Sequence, residues 1–217
     1  MKSYKVVYAG GEGEIIEKKS RFIATVRPVE CEEEAAAFIG AIKKQYWDAT
    51  HNCSAFTIGR NHELTRCSDD GEPSGTAGRP MLDVLLREDI HNAAVVVTRY
   101  FGGTLLGTGG LVRAYQKSTQ AGLAQAVVIE KKQGHLLDIG TDYNGLGKIQ
   151  YLLAQQNIPV LDTEYTDQVR MQVMVPLEEK DRIVKAITEG TSGTAALDWG
   201  TQAEFAVIEG RVEVFEK

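Results

Sequence analysis

Apolar and polar positions alternate along Tyr4–Tyr8, Glu14–Glu17 and Arg21–Val26, a period of two that predicts three short strands. Between the first two lies AGGEG (residues 9–13), expected to be a glycine-rich turn. The period then lengthens. Ala35, Phe38, Ile39, Ile42 and Tyr46 recur three or four residues apart, which predicts a helix over Glu32–Tyr46 with one buried face. Its acids stand in the first turn and its lysines in the last, as the helix macrodipole favours. Short strands are expected at Cys53–Ile58 and Glu63–Cys67 around the polar turn GRNH, then a helix over Met81–Arg87. The apolar run of Ala93–Tyr100 reads as a strand buried on both faces. A long helix follows over Gly109–Ala126, with Leu111, Ala114, Tyr115, Ser118 and Gly122 on one side.

Beyond it the order changes. The pattern predicts a strand at His135–Thr141, a helix at Tyr143–Gln156, and strands at Val160–Tyr165 and Gln168–Val175. A helix at Leu177–Glu189 and a last strand at Glu204–Phe215 complete a βαββαβ order, that of the ferredoxin-like unit. The polar stretch Glu130–Gly134 is expected to be the seam. The fold class is therefore α+β in two domains, residues 1–133 and 134–217.

Composition narrows the class. With 43% hydrophobic and 25% charged residues, disorder, collagen and coiled coil are excluded. No apolar run approaches the roughly 18 residues of a membrane helix. The N-terminus carries no apolar signal core, and three cysteines without a CxxC pair imply neither disulfide framework nor zinc ribbon. A cytoplasmic protein without membrane contact is expected. The net charge of −6 is uneven: residues 1–133 carry 17 basic and 16 acidic side chains, residues 134–217 carry 7 and 14. A polyanion should therefore meet the first half. The acidic second half reads as solubilising surface or as a docking face for a protein partner.

Two segments depart from ordinary patterning. The first is Asp69-Asp70-Gly71-Glu72-Pro73-Ser74-Gly75-Thr76-Ala77-Gly78. The second is Arg99-Tyr100-Phe101-Gly102-Gly103, continuing through Gly107, Gly109 and Gly110 straight into a helix. Glycines before a helix N-terminus leave N–H groups open to an anion, and Arg99 and Arg113 stand on either side to add the cations phosphate prefers. The competing reading is a tight strand-to-helix crossover that needs glycine for close packing. GxxxxGK[ST] is absent, and GxGxxG fails because residue 112 is valine, so no nucleotide cofactor is expected. Asp69, Asp70 and Glu72 do not match the EF-hand spacing and read as a capped turn rather than a metal site. His51, His62, His91 and His135 show no HxxxH, so no zinc hydrolase is expected. His51 and Cys53 share one face of an extended strand, an arrangement that reads as a packed thiol beside a hydrogen-bonding imidazole.

Thr50-His51-Asn52-Cys53, the Asp69–Gly78 segment, and Val97–Tyr115 with its Arg-Tyr-Phe-Gly-Gly-Thr-Leu-Leu-Gly-Thr-Gly-Gly-Leu-Val-Arg core together resemble the YigZ/IMPACT family. The likeness covers roughly residues 15–125; the remainder resembles the bacterial members, which carry a ferredoxin-like domain there. The resemblance implies a first domain like domain IV of elongation factor G and a second like that factor's domain V. It also implies a link to translation, since eukaryotic relatives restrain the amino-acid-starvation kinase pathway by competing for its activator. That role depends on an extra domain absent here, and the family supplies no settled reaction or catalytic residues. What transfers is the patch formed by the three motifs: Thr50, His51, Asn52, Asp69, Asp70, Gly71, Glu72, Ser74, Gly75 and Thr76 with the glycine loop.

The expected function is a translation-associated regulator that binds RNA or a ribosome-associated partner through the first domain. Arg79, Arg99, Arg113 and the loop would hold phosphates, and Tyr100 or Phe101 would stack on bases. Two other classes stand beside it. One is an enzyme on a small anionic substrate with His51 or Asp70 as acid–base group; the other is a protein–protein regulator docking through its acidic half. An apolar pocket behind the glycine loop favours the enzyme, and a flat basic surface favours RNA.

Overall fold

The computed structural model describes residues 3–215. The chain divides into two compact units, Tyr4–Ile129 and a second that begins at Glu130 and takes in Ser3.

In the first unit, strands β1 (Tyr4–Ala9), β2 (Gly11–Glu17) and β3 (Ser20–Pro28) lead into helix α1 (Glu32–Gln45). Strands β4 (His51–Ile58) and β5 (Leu64–Ser68) precede helix α2 (Gly78–Arg87). The short β6 (Ile90–His91), β7 (Ala93–Tyr100) and helix α3 (Thr108–Gln125) follow. The main sheet has the order β2-β3-β7-β4-β5, with antiparallel neighbours, while β1 pairs β6 in parallel. Central β7 explains the apolar run. Ala93, Val95 and Val97 join the core beneath α2 and α3, while Ala94 and Val96 join the core beneath α1, so both faces are covered. Pro80 falls in the first turn of α2, where its missing N–H costs nothing, and the helix therefore starts three residues before Met81.

AGGEG is not a turn. Gly11 and Gly13 lie inside β2, which pairs β3 from Gly11↔Val26 to Glu17↔Ser20. Glycine is needed there for close packing. A Cβ on Gly13 would stand 2.4 Å from the Ala121 backbone of α3, and one on Gly11 would stand 2.4 Å from that of Gln125. The helix lies directly on the strand.

In the second unit, β8 (Val127–Thr141), α4 (Tyr143–Gln155), β9 (Val160–Tyr165) and β10 (Val169–Pro176) are followed by a 3₁₀ turn, Leu177–Glu179. Helix α5 (Lys180–Gly190) and strands β11 (Ala196–Ile208) and β12 (Arg211–Phe215) complete it. The order β12-β11-β8-β10-β9 is antiparallel throughout. Without β12 it is the 4-1-3-2 arrangement of a ferredoxin-like unit. Leu137, Ile139, Val173, Ile149 and Ile183 meet in its core. Two sequence expectations are corrected here. The strand expected at His135–Thr141 starts at Val127 instead, and its polar stretch pairs β11 through Lys132↔Phe205 and Gln133↔Glu204. The single last strand is a hairpin, turned by Glu209 and Gly210 at φ 50° and 80°.

Candidate functional site

The three motifs converge in the first unit. At the start of β4, Thr50 and His51 stand beside the end of β7, with His51 opposite Arg99 in the register. The acidic segment folds over them. Asp69 is its organiser: Oδ1 accepts the N–H groups of Ala77 and Gly78, at 3.0 and 2.8 Å, and Oδ2 accepts that of Gly75 at 2.8 Å. Partial burial raises its affinity for a proton, but these donors outweigh that and hold its pKa below the ordinary value. Thr76 closes the same loop by donating to the Pro73 carbonyl at 2.6 Å, while Ser74 is exposed.

Asp70 sits in the left-handed region at φ 44°, followed by Gly71 at 88°. Its Oδ1 meets Lys43 Nζ at 2.5 Å and its Oδ2 accepts the Asn52 N–H at 2.7 Å. Burial works against the charge, yet Lys43, the Asn52 N–H and nearby His51 prevail and depress its pKa. Asp70 therefore stays a carboxylate at neutral pH, with one oxygen on Lys43 and the other on the Asn52 N–H. Its strained backbone has another consequence. The Asp70 carbonyl oxygen lies 2.8 Å from His51 Nδ1. A carbonyl only accepts, so Nδ1 carries the proton and a neutral His51 keeps its lone pair on Nε2.

That Nε2 faces Glu72 Oε2 at 3.9 Å. Glu72 is buried, and its Oε1 accepts from Arg99 Nη1 at 2.6 Å and from the Tyr115 hydroxyl at 2.8 Å. Arg99 is equally buried, reaches Ser20 Oγ at 3.3 Å with Nη2, and lies between the rings of Phe22 and Phe101. Here the structure corrects the sequence reading. Position 99 points to the covered face of β7, where a guanidinium needs a buried counter-ion, so Arg99 holds Glu72 rather than a phosphate. Asp69, Asp70 and Glu72 each serve a different partner and do not converge on one point.

Cys53 is likewise committed. Its Sγ lies 3.0 Å from the Asp69 carbonyl oxygen and 3.3 Å from the Tyr115 hydroxyl. Burial pushes the thiol pKa up to about 12, assisted by Glu72, Asp70 and Asp69 and only partly offset by the Tyr115 contact. Burial also raises Tyr115. Near neutral pH a disulfide reagent is expected to modify Cys67, which is exposed, and Cys31, which is half-buried, while Cys53 reacts only after unfolding. Release of a third thiol equivalent from folded protein would contradict this assignment.

Above this network lies an apolar cleft of about 430 Å³. Its walls are Pro73, Phe101, Leu105, Leu106 and Leu111, and its floor includes Thr50, His51, Glu72 and Arg99. Gly107 and Thr108 bring the first turn of α3 to its edge. Gly107 is the N-cap at φ 73°, and no side chain caps the helix. Phe101 is 46% exposed and Leu105 82%, an open apolar rim. On the far side of Leu106 a smaller recess gathers Lys18, Arg113 and Lys117 together with Glu17. The Arg113 guanidinium packs over Gly109.

The remaining predicted residues lie elsewhere. Arg79 pairs with Asp83 at 2.8 Å on exposed α2. Tyr100 donates to Asp48 at 2.9 Å from the opposite face of β7 to Arg99. The Gly102 N–H donates to Ser20 Oγ at 3.2 Å, and a Cβ there would meet the Lys19 backbone, so Gly102 is a packing glycine and not an open donor. Asn52 accepts from Thr98 Oγ1 at 2.7 Å, and Thr50 Oγ1 accepts the Phe101 N–H at 3.2 Å, so both brace the floor of the cleft. Lys18 and Lys117 carry no signal in the sequence; they are ordinary surface lysines there, and only the β2–β3 turn and the pitch of α3 bring them to Arg113.

A two-unit α+β protein with this motif cluster has known relatives. Residues 18–123 match the Impact N-terminal domain, and residues 139–194 match a domain of unknown function, DUF1949. The IMPACT family member YvyE of Bacillus subtilis (strain 168) is 44% identical over 198 residues, 91% of each chain. The IMPACT family member YigZ of Escherichia coli (strain K12) is 34% identical over 182 residues, 83% of this chain and 89% of that one. A crystal structure described as that of a hypothetical protein aligns with a TM-score of 0.58 at 32% identity, covering 91% of this chain and 97% of the other. The chain belongs to the IMPACT family. None of its helices among the described residues is long and apolar enough to cross a membrane.

Proposed function

We propose that this protein is a translation-associated regulator whose first unit holds a single-stranded stretch of RNA, presented free or by a ribosome-associated partner. The observation that carries the reading is the exposed Phe101 ring beside the open first turn of α3, with the Lys18, Arg113 and Lys117 recess on the far side of Leu106. A base fits the cleft against Phe101, and the phosphates beside it run past Leu106 over the glycine loop to the three cations. The translation link implied by the family resemblance, including its likeness to an elongation-factor domain, belongs to this same reading. The chain's overall acidity fits a local contact and argues against coating nucleic acid at large.

Labelled single-stranded RNA titrated at several salt concentrations separates the two parts. Phe101→Ala removes a stacking face worth about 1–3 kcal/mol per base and is expected to weaken binding roughly tenfold with an unchanged salt slope. Arg113→Ala is expected to flatten the slope of log affinity by about 0.7 for each phosphate it no longer neutralises. Undetectable binding by the wild type at low salt, or identical curves for all three proteins, overturns the reading.

The apolar character of the cleft behind the glycine loop favours a second reading, and so does one side chain on its floor. His51 has its Nδ1 proton fixed by a backbone carbonyl and its Nε2 lone pair beside the cleft, the disposition of a general base. On that reading the cleft belongs to an enzyme acting on a small anionic substrate. Co-purification of a metabolite rather than RNA, abolished by His51→Gln, would favour it.

A further inference from the structure

Away from the cleft, the β4–β5 turn and the α2–β6 connection bring together His62, Asp89 and His91. Among the described residues they form a group whose ligand atoms all lie within 4.8 Å of one another. His62 Nε2 stands 3.4 Å from Asp89 Oδ1, and His91 Nε2 stands 3.1 Å from the same oxygen. His91 is buried, His62 is half-buried and Asp89 reaches solvent.

The outer partners set the chemistry. His91 Nδ1 lies 3.1 Å from the Gly59 carbonyl oxygen, which accepts only, so its proton is on Nδ1 and its lone pair is on Nε2. His62 Nδ1 is 2.6 Å from Thr57 Oγ1, a buried hydroxyl able to accept the matching N–H. With both rings in that tautomer, two nitrogen lone pairs meet one carboxylate oxygen and no proton stands between them. A neutral His62 can put a proton in the gap only by reversing its hydrogen bond to Thr57, and His91 only by becoming an imidazolium stacked 3.9 Å from the other ring at 14°. One divalent cation satisfies all three atoms at once. Imidazole ligands whose other nitrogen is held by a carbonyl or hydroxyl are the usual form of such ligands. The N···O separations of 3.1 and 3.4 Å are also close to the edges of about 3.3–3.4 Å in a tetrahedron with zinc-like bonds.

We propose that His62, Asp89 and His91 form a binding site for one divalent transition-metal ion of the zinc class, with its remaining position open to water. Two imidazoles and one carboxylate suit zinc, cobalt or nickel and disfavour calcium and magnesium. The stack must open on binding, because parallel rings direct their lone pairs side by side. His62 is the ring that turns. It lies on the turn, at φ 54°, and its partner is a hydroxyl that rotates, whereas a fixed carbonyl holds His91. The ion would tie the β4–β5 turn to the segment entering β7.

Untagged full-length protein freed of metal by chelator is titrated with Zn²⁺ by calorimetry and with Co²⁺ by visible absorption. The expected result is one equivalent of each and an intense tetrahedral cobalt band. Asp89→Asn and His62→Ala alter residues that reach solvent and should keep the native circular dichroism; each is expected to weaken Zn²⁺ binding at least tenfold and to abolish the band. His91→Ala should do the same, but its ring packs against Tyr4, so the other two variants decide the matter. Absence of Zn²⁺ binding by the wild type, or binding unchanged in Asp89→Asn and His62→Ala, overturns the proposal.

Discussion

Arg99→Met is expected to lower the unfolding free energy by about 3–5 kcal/mol, because it leaves the Glu72 carboxylate buried without its cation. The two side chains are 6% and 3% exposed, so little water can replace the missing partner. The damage extends beyond one pair. Glu72 Oε1 also anchors the Tyr115 hydroxyl, and Tyr115 packs edge-on against Phe22 at 5.3 Å within the core beneath α3. Glu72→Gln is expected to cost less, since the amide oxygen still accepts from Arg99 and Tyr115. The double change Arg99→Met with Glu72→Leu should recover much of the single-site loss, because an apolar pair avoids the desolvation of both charges. Urea unfolding of the wild type, Arg99→Met, Glu72→Leu and the double variant, followed by circular dichroism, gives the cycle directly. A loss below about 1 kcal/mol for Arg99→Met would show that the pair contributes nothing beyond an exposed salt bridge.

The pair also marks how far the sequence could be read. Each residue carries a formal charge, and each stands in a motif that suggests another partner, a phosphate for Arg99 and a capped turn or a metal for Glu72. Nothing linear says that position 72 lies directly above position 99. Parity along β7 was legible: the run from Ala93 to Val97 reads as a doubly covered strand, and it is one. Extending that parity two residues to Arg99 would have placed the guanidinium in the core and required a carboxylate beside it. The helical period of α1 and its terminal charges were legible for the same reason, since the burial is local and regular.

Other features depend on partners far along the chain. The polar stretch of β8 is strand because β11 offers it a backbone ladder, which its side chains do not disclose. Glu209-Gly210 is a weaker hairpin signal than Asn-Gly, so a single strand through it was the natural reading. His62 and His91 are far apart in the chain and meet only because the two turns adjoin. The Asp89-x-His91 spacing was the one visible sign, and by itself it fits an ordinary turn.

Glycine makes the sharpest case, because it serves turns and close contacts alike. Gly13→Ala is expected to destabilise the first unit by about 3 kcal/mol or more, the upper part of the range for overpacking. The added Cβ would lie 2.4 Å from the carbonyl carbon and oxygen of Ala121 and 2.7 Å from the Gly122 nitrogen, all backbone atoms of α3. A flexible side chain could move aside; a helix backbone must lift as a body. Gly122 closes the same approach from the helix side, where a Cβ would stand 2.9 Å from the Ala24 Cβ. Lifting α3 also displaces its first turn, which frames the cleft, so ligand binding should fall together with stability. Gly40→Ala supplies the opposite sign. Gly40 lies inside α1 with nothing within 4 Å of the new atom, and alanine there is expected to stabilise by about 0.5–1 kcal/mol through helix propensity. Melting both variants against wild type checks the pair. If β2 tolerated alanine at position 13 as readily as α1 does at position 40, the direct packing of helix on strand would be wrong.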